Sequence, residues 1–238
     1  KTLLVSIMLV NNETGAIQPI KAAAELTHKK SPHAFFHCDA VQAFGKMPIN
    51  VKNLGVDMLT VSGHKIHAPK GIGFLYLNQK THIAPLLSGG GQESGMRSGT
   101  ECVPLICALK GAVEELPNLD ATLKTRKELY DYTIEQLLQN NLATINSDEN
   151  GLPYVLNISV NGYRSETLLH FLERKNIFVS SGSACSKGNV SYVLKEMGKD
   201  NKSIDSALRI SFSRYTTKED IDLLVSELKN ATGSLRKA

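Results

Sequence analysis

The sequence predicts an α/β fold: a parallel sheet first, then a second, smaller α/β layer. Three observations predict it. Short β-branched or aromatic runs bounded by Gly, Pro and Asn recur through the first part of the chain, and a helical pattern separates the first two. Strand, helix, strand in that order implies parallel pairing. Pro117-Asn118 then breaks the pattern, and a fresh alternation of helices and strands follows.

In chain order, Leu3–Val10 is the first expected strand and Gln18–Lys30 a helix, with Ile20, Ala23, Ala24 and Leu26 at helical spacing. Ala34–Cys38, Met58–Ser62 and Gly73–Leu77 complete the strands of the first layer. A glycine-rich stretch, Gly89 to Gly95, leads to a helix from Val103 to Leu116. With the boundary at Pro117, residues 1–117 form part of a large domain and residues 118–238 a small one. The second layer reads as a helix Ala121–Asn140, a strand Tyr154–Val160, a helix Ser165–Lys175, a strand Ile177–Val179, a short helix Val190–Met197, a strand Ala207–Phe212 and a last helix. That helix opens at Thr216-Thr217-Lys218-Glu219, a capping-box pattern.

Composition narrows the function classes. At 238 residues, 42% hydrophobic and 21% charged, the chain can bury a core and is neither disordered nor a disulfide-stapled scaffold. The formal net charge is +4 and the basic residues are scattered, which gives no footprint for direct nucleic-acid binding. The longest apolar stretch, Leu3–Val10, is too short to span a membrane, and Lys1-Thr2-Leu3-Leu4 runs into a strand rather than a leader. Four widely spaced cysteines suit reduced thiols, so a cytoplasmic location is expected.

In a parallel sheet ligands sit beyond the carboxyl ends of the strands, and polar clusters fall at three such ends: Asn11-Asn12-Glu13, Asp39 and Gly63-His64-Lys65. Three strand ends are expected to face one pocket. Lys65 follows a buried strand directly, flanked by hydroxyl and imidazole; poorly solvated there, its amine can form a Schiff base, and otherwise it is a surface lysine. Asp39 follows an apolar run, so its carboxylate needs a cationic partner, such as a protonated pyridine nitrogen, unless it serves as a turn or helix cap. Cys185 lies in a loop of small residues with Lys187 nearby, which suits a reachable thiolate, whereas Cys38, Cys102 and Cys107 read as packed side chains. Arg209 interrupts an apolar strand and requires a carboxylate or an exit to water. His33 and His37 lack the companions of a metal site, and no Walker or GxGxxG order is present.

Five ordered motifs carry a resemblance along the whole chain: Val10-Asn11-Asn12-Glu13-Thr14-Gly15, His37-Cys38-Asp39-Ala40-Val41-Gln42, Ser62-Gly63-His64-Lys65, Arg97-Ser98-Gly99-Thr100 and Ser181-Gly182-Ser183-Ala184-Cys185. The chain resembles the NifS/IscS-type cysteine desulfurases of aminotransferase class V. The resemblance implies the pyridoxal-phosphate transferase fold type I, here an incomplete large domain plus a small carboxyl-terminal one. It implies that Lys65 carries pyridoxal 5'-phosphate, that Asp39 pairs with its ring nitrogen and that Gln42 faces its ring hydroxyl. Ser62 and His64 would bind the phosphate, and Thr100 would reach that of a neighbouring subunit. Asn12 would lie at the cofactor and, with Arg209, hold the substrate carboxylate. Cys185 would accept sulfur from L-cysteine as a persulfide. A homodimer and a sulfur-acceptor protein, an iron–sulfur scaffold or a tRNA-thiolation enzyme, are the implied partners. The family's N-terminal part, with a phosphate-binding turn and a ring-stacking histidine, has no counterpart here, so the chain resembles the carboxyl-side portion. Selenocysteine lyase, served by the same residues, and a non-catalytic scaffold are the alternatives.

Overall fold

A computed structural model describes residues 1–181 and 191–237. The chain divides into two compact units: Lys1–Val10 with Gln18–Leu119, and Asn11–Ile17 with Asp120–Ala238.

The first unit is built on four strands, β1 (Leu4–Met8), β2 (Phe35–Asp39), β3 (Met58–Ser62) and β4 (Gly73–Leu77), in that spatial order. β1, β2 and β3 run parallel. β4 is antiparallel to β3, because the ten residues 63–72 are too few for a parallel crossover. Helix α1 (Ile20–Lys30) links β1 to β2; it buries Ile20 and Ala24, ends on His28, Lys29 and Lys30, which suit the negative end of its dipole, and stops just before Pro32. Asn50 caps the one-turn α2 (Val51–Leu54), its side chain accepting from the Asn53 amide. The strands alternate faces. Phe36, Cys38, Leu59 and Val61 are buried on one side, while on the other Leu4, Phe35 and Leu75 stay exposed. Helix α3 (Val103–Glu114) also buries none of its residues.

The second unit has an antiparallel sheet of β5 (Thr144–Ile145), β6 (Val155–Ser159) and β7 (Ala207–Ser211). Leu156 and Ile158 of β6 pack with Tyr130 and Leu137 from α4 (Leu119–Gln139), Leu168 and Leu172 from α5 (Ser165–Glu173), and Leu224 and Leu228 from α8 (Lys218–Ser234). The short α6 (Tyr192–Glu196) and α7 (Asn201–Asp205) join the smaller cluster of Leu194, Ile204 and Ala207. Arg126 of α4 is buried and donates to the Ser213 and Thr216 carbonyls, at 2.8 and 2.9 Å, fastening the turn before α8.

Three expectations change here, the first being the sheet expected to be parallel, in which β4 runs antiparallel. Ile177–Val179 is not a strand: Phe178 is 77% exposed, and pairing is confined to a single bridge between Ser180 and Arg209. The capping box of α8 sits one residue later than expected. Thr217 and Asp220 cap each other, because the Thr216 hydroxyl is already taken by the Ser213 amide at 2.9 Å.

Candidate functional site

In the first unit the carboxyl ends of the parallel strands lie side by side. The Leu9 amide donates to the Asp39 carbonyl, and the Ala40 amide to that of Thr60. Half-buried Asp39 closes β2, and its Oδ1 accepts from the Val41 amide at 2.9 Å, which opens a turn carrying Gln42. The turn role occupies one oxygen, and a carboxylate has lone pairs for further partners. Gln42 accepts from the Lys46 ammonium at 3.5 Å through Oε1.

On the next strand, β3 ends at Ser62 and tightens at once into a 3₁₀ turn, Gly63–Ile66, that holds half-buried Lys65. The Ser62 hydroxyl and His64 Nδ1 are 2.7 Å apart. Partial desolvation, and then the charges of Lys65 and Lys70, hold the His64 imidazole below its ordinary 6.5, which favours the neutral ring. Space at Gly63 is tight: a Cβ there would lie 3.1 Å from both the Ala68 side chain and the Ile72 carbonyl. Cys38, on the covered face, has its thiol raised to about 11, by burial first and the adjacent Asp39 second. It is an inert core residue.

The second unit holds the other candidates. Asn11 Oδ1 accepts from the Glu13 and Thr14 amides and folds Asn11–Ile17 into a turn. Gly15 lets the turn sit down on β6; its φ is +77°, and a Cβ there would be 2.8 Å from the Val155 carbonyl. Polar side chains fix the turn: Asn157 Nδ2 donates to the Glu13 carbonyl at 3.2 Å and the Ser147 hydroxyl to the Thr14 carbonyl at 2.6 Å. Arg209, on β7, donates from one guanidinium nitrogen to the Asn12 carbonyl at 3.0 Å. Its backbone exchanges two hydrogen bonds with Ser180, so this position of β7 is paired on both sides.

The structure thus groups the predicted residues in two sets. Asp39, Gln42, Ser62, His64 and Lys65 share the carboxyl end of one sheet, and Asn12 and Arg209 touch in the other unit. Thr100 is exposed. Cys185 lies outside the described residues. Cys102 and Cys107 are exposed, not packed as expected, because α3 leaves its apolar residues Val103 and Ile106 uncovered. His37 bridges the Ser6 and Thr60 hydroxyls, at 2.7 and 3.1 Å, across three strands. Among the described residues no group of three or more His, Cys, Asp or Glu side chains is placed to hold a metal, and no helix is long and apolar enough to cross a membrane. Sequence reasoning missed Asn157, whose only signal was a polar residue inside an apolar strand, and Ser147, which lies in the connection after β5 and carries no such signal. It also gave no role to Glu13, a glutamate with 6% exposure.

Comparison with known proteins adds the following. The aminotransferase class-V family model matches residues 1–224. A cysteine desulfurase of Nostoc sp. is 42% identical over 241 residues, which cover 99% of this chain and 60% of that protein. The solved structure of a NifS-like protein superposes with a TM-score of 0.87 at 36% identity, over 98% of this chain and 62% of that one. That of SspA in complex with cysteine superposes with a TM-score of 0.73 at 34% identity, over 91% and 60%. The chain therefore spans about three fifths of the proteins it matches.

Proposed function

The chain belongs to the aminotransferase class-V family, and from that premise we propose that the protein is a cysteine desulfurase, taking sulfur from L-cysteine and leaving L-alanine. One observation carries the reading. An amine, a hydroxyl, an imidazole and a carboxylate are carried at neighbouring strand ends, with Asp39 closing β2 and the Ser62-Gly63-His64-Lys65 turn following β3. That donor set fits pyridoxal 5'-phosphate, which joins an aldehyde, an anionic phosphate and a pyridine nitrogen in one ligand.

In this reading Lys65 holds the cofactor through its amine, Asp39 pairs with the ring nitrogen and Gln42 faces the ring hydroxyl. Ser62 and His64 bind the phosphate as a hydrogen-bonded pair, with Thr100 serving a second copy in a homodimer. Bound there, pyridoxal phosphate supplies an electron sink for the pair left when the substrate Cα loses its proton. Arg209 holds the substrate carboxylate in a bidentate pair beside Asn12, which also adjoins the cofactor. The Lys65 amine would carry the proton from the substrate Cα. The Cys185 thiolate attacks the substrate sulfur: an S–S bond forms, the Cβ–S bond breaks, and the electron pair left on the alanine fragment takes up a proton. The resulting persulfide passes to an acceptor protein, an iron–sulfur scaffold or a tRNA-thiolation enzyme.

Visible absorbance tests the reading. Protein reconstituted with pyridoxal phosphate is expected to be yellow, bleached by borohydride and colourless as Lys65→Ala. Cys185→Ala is expected to keep the colour and lose persulfide. A preparation that stays colourless with added cofactor overturns the proposal, and sulfide release surviving Cys185→Ala overturns the thiol assignment.

A further inference from the structure

Glu13 stands beside Asn12 in the turn, yet the reaction described above gives it nothing to do. Its carboxylate is buried and accepts a 2.5 Å hydrogen bond from the Ser191 hydroxyl, itself buried, a distance typical of hydroxyl to carboxylate. The same hydroxyl accepts from the Leu194 amide at 3.1 Å and so caps α6. One hydroxyl has a donor and two acceptor lone pairs, so both bonds coexist. Ser191 is the first residue after 182–190, the segment whose sequence includes Cys185. At its other flank, Ser180 is bonded twice to the backbone of Arg209, whose side chain in turn reaches Asn12. Both flanks therefore end on the pair assigned to the substrate carboxylate: one through Arg209, the other through the neighbour of Asn12.

We infer that Glu13 is a positioning residue for sulfur transfer: acting through Ser191, its carboxylate ties the flank of the Cys185 segment to the turn that presents Asn12. The inference rests on the desulfurase reading for its consequence and on the Glu13–Ser191 contact for its geometry. A buried carboxylate is costly to keep as a mere spacer. Here it joins two stretches of chain, Glu13 and Ser191, that are remote in sequence.

The test compares Glu13→Ala, Glu13→Gln, Ser191→Ala and Ser191→Thr in the full chain by two readouts. Without cofactor, hydrogen exchange at the Leu194 amide is expected to quicken by roughly tenfold or more in Ser191→Ala and Glu13→Ala, and to return toward the parent rate in Ser191→Thr, which keeps the hydroxyl. With pyridoxal phosphate, single-turnover persulfide on Cys185, read by mass spectrometry, is expected to fall by about tenfold to a hundredfold in the two alanine variants. Exchange of the α-proton of L-alanine into deuterated water needs no thiol and should stay within about twofold of the parent. Glu13→Gln, which keeps an acceptor oxygen, should lose less than Glu13→Ala. Unchanged Leu194 exchange overturns the anchoring, and equal losses of α-proton exchange and persulfide, or loss of neither, overturn the positioning role. A parent protein that binds no cofactor overturns the desulfurase reading instead, and the Leu194 readout still decides the anchoring.

Discussion

The two sheets of this molecule are closed to different degrees. Every residue of β6 is buried: Leu156 and Ile158 lie against the helices, and Asn157 and Ser159 on the opposite face are satisfied by Asn146, Glu13 and Ser203. In the first unit only the face with Phe36, Cys38, Leu59 and Val61 is closed, and the other leaves Leu4, Phe35 and Leu75 between 36% and 53% exposed. Parallel sheets normally bury both faces. The turn bearing Asn12 is thus held by a body sealed on both faces of its central strand, while the Lys65 turn rides on a sheet sealed on one.

The largest expected effect probes that difference directly. Leu156→Ala opens a cavity in the sealed sheet and should cost about 2–5 kcal/mol, whereas Leu75→Ala on the open face should cost less than about 0.5 kcal/mol, both read from urea denaturation. Similar losses would mean that the Leu75 face is covered in solution. Next come the glycines. Gly15→Ala combines a left-handed backbone with a Cβ at 2.8 Å from Val155 and should cost roughly 2–3 kcal/mol. Gly55→Ala, with φ of +69° but open space around it, should cost about 1 kcal/mol. Thermal denaturation that fails to rank them in this order breaks the claim that the turn is wedged onto β6.

Thiol chemistry sharpens the contrast within the first unit. Cys38, with its thiol at about 11, should present only about one part in a thousand as thiolate at pH 8. Exposed Cys102 and Cys107 should therefore be alkylated first, as peptide mass spectrometry would show. The smallest effect concerns His64. Its folded value lies below 6.5, so the unfolded chain binds more protons in the window between the two, and the ring's contribution to stability is lost as pH falls through it. An NMR titration should place the His64 midpoint below that of a free histidine and move it upward in Lys70→Met.

Much of this was legible in the chain because local rules and tertiary structure agree. Met58–Ser62 and Gly73–Leu77 are legible to the residue, since an apolar run bounded by turn residues, Asp57 and Gly63 for one and Gly73 and Asn78 for the other, has few other fates. The two-residue β5 and the short α7 escaped, because one turn or one pair of ladder bonds leaves no periodicity to read. Cys102 and Cys107 misled because an apolar helix announces that it wants a partner surface, not that this chain provides one.

The sequence by itself determined the main strands and helices of each layer, the residues that end β3, and the motifs that mark the family, all of them properties of neighbours along the chain. Only the tertiary structure decided that residues 11–17 go with a sheet that begins far downstream, that Arg209 reaches Asn12, and that Glu13 meets Ser191. The physical reason is that a buried hydrogen bond is specified by what remains without a partner once the core has closed, and no pattern of adjacent residues records that.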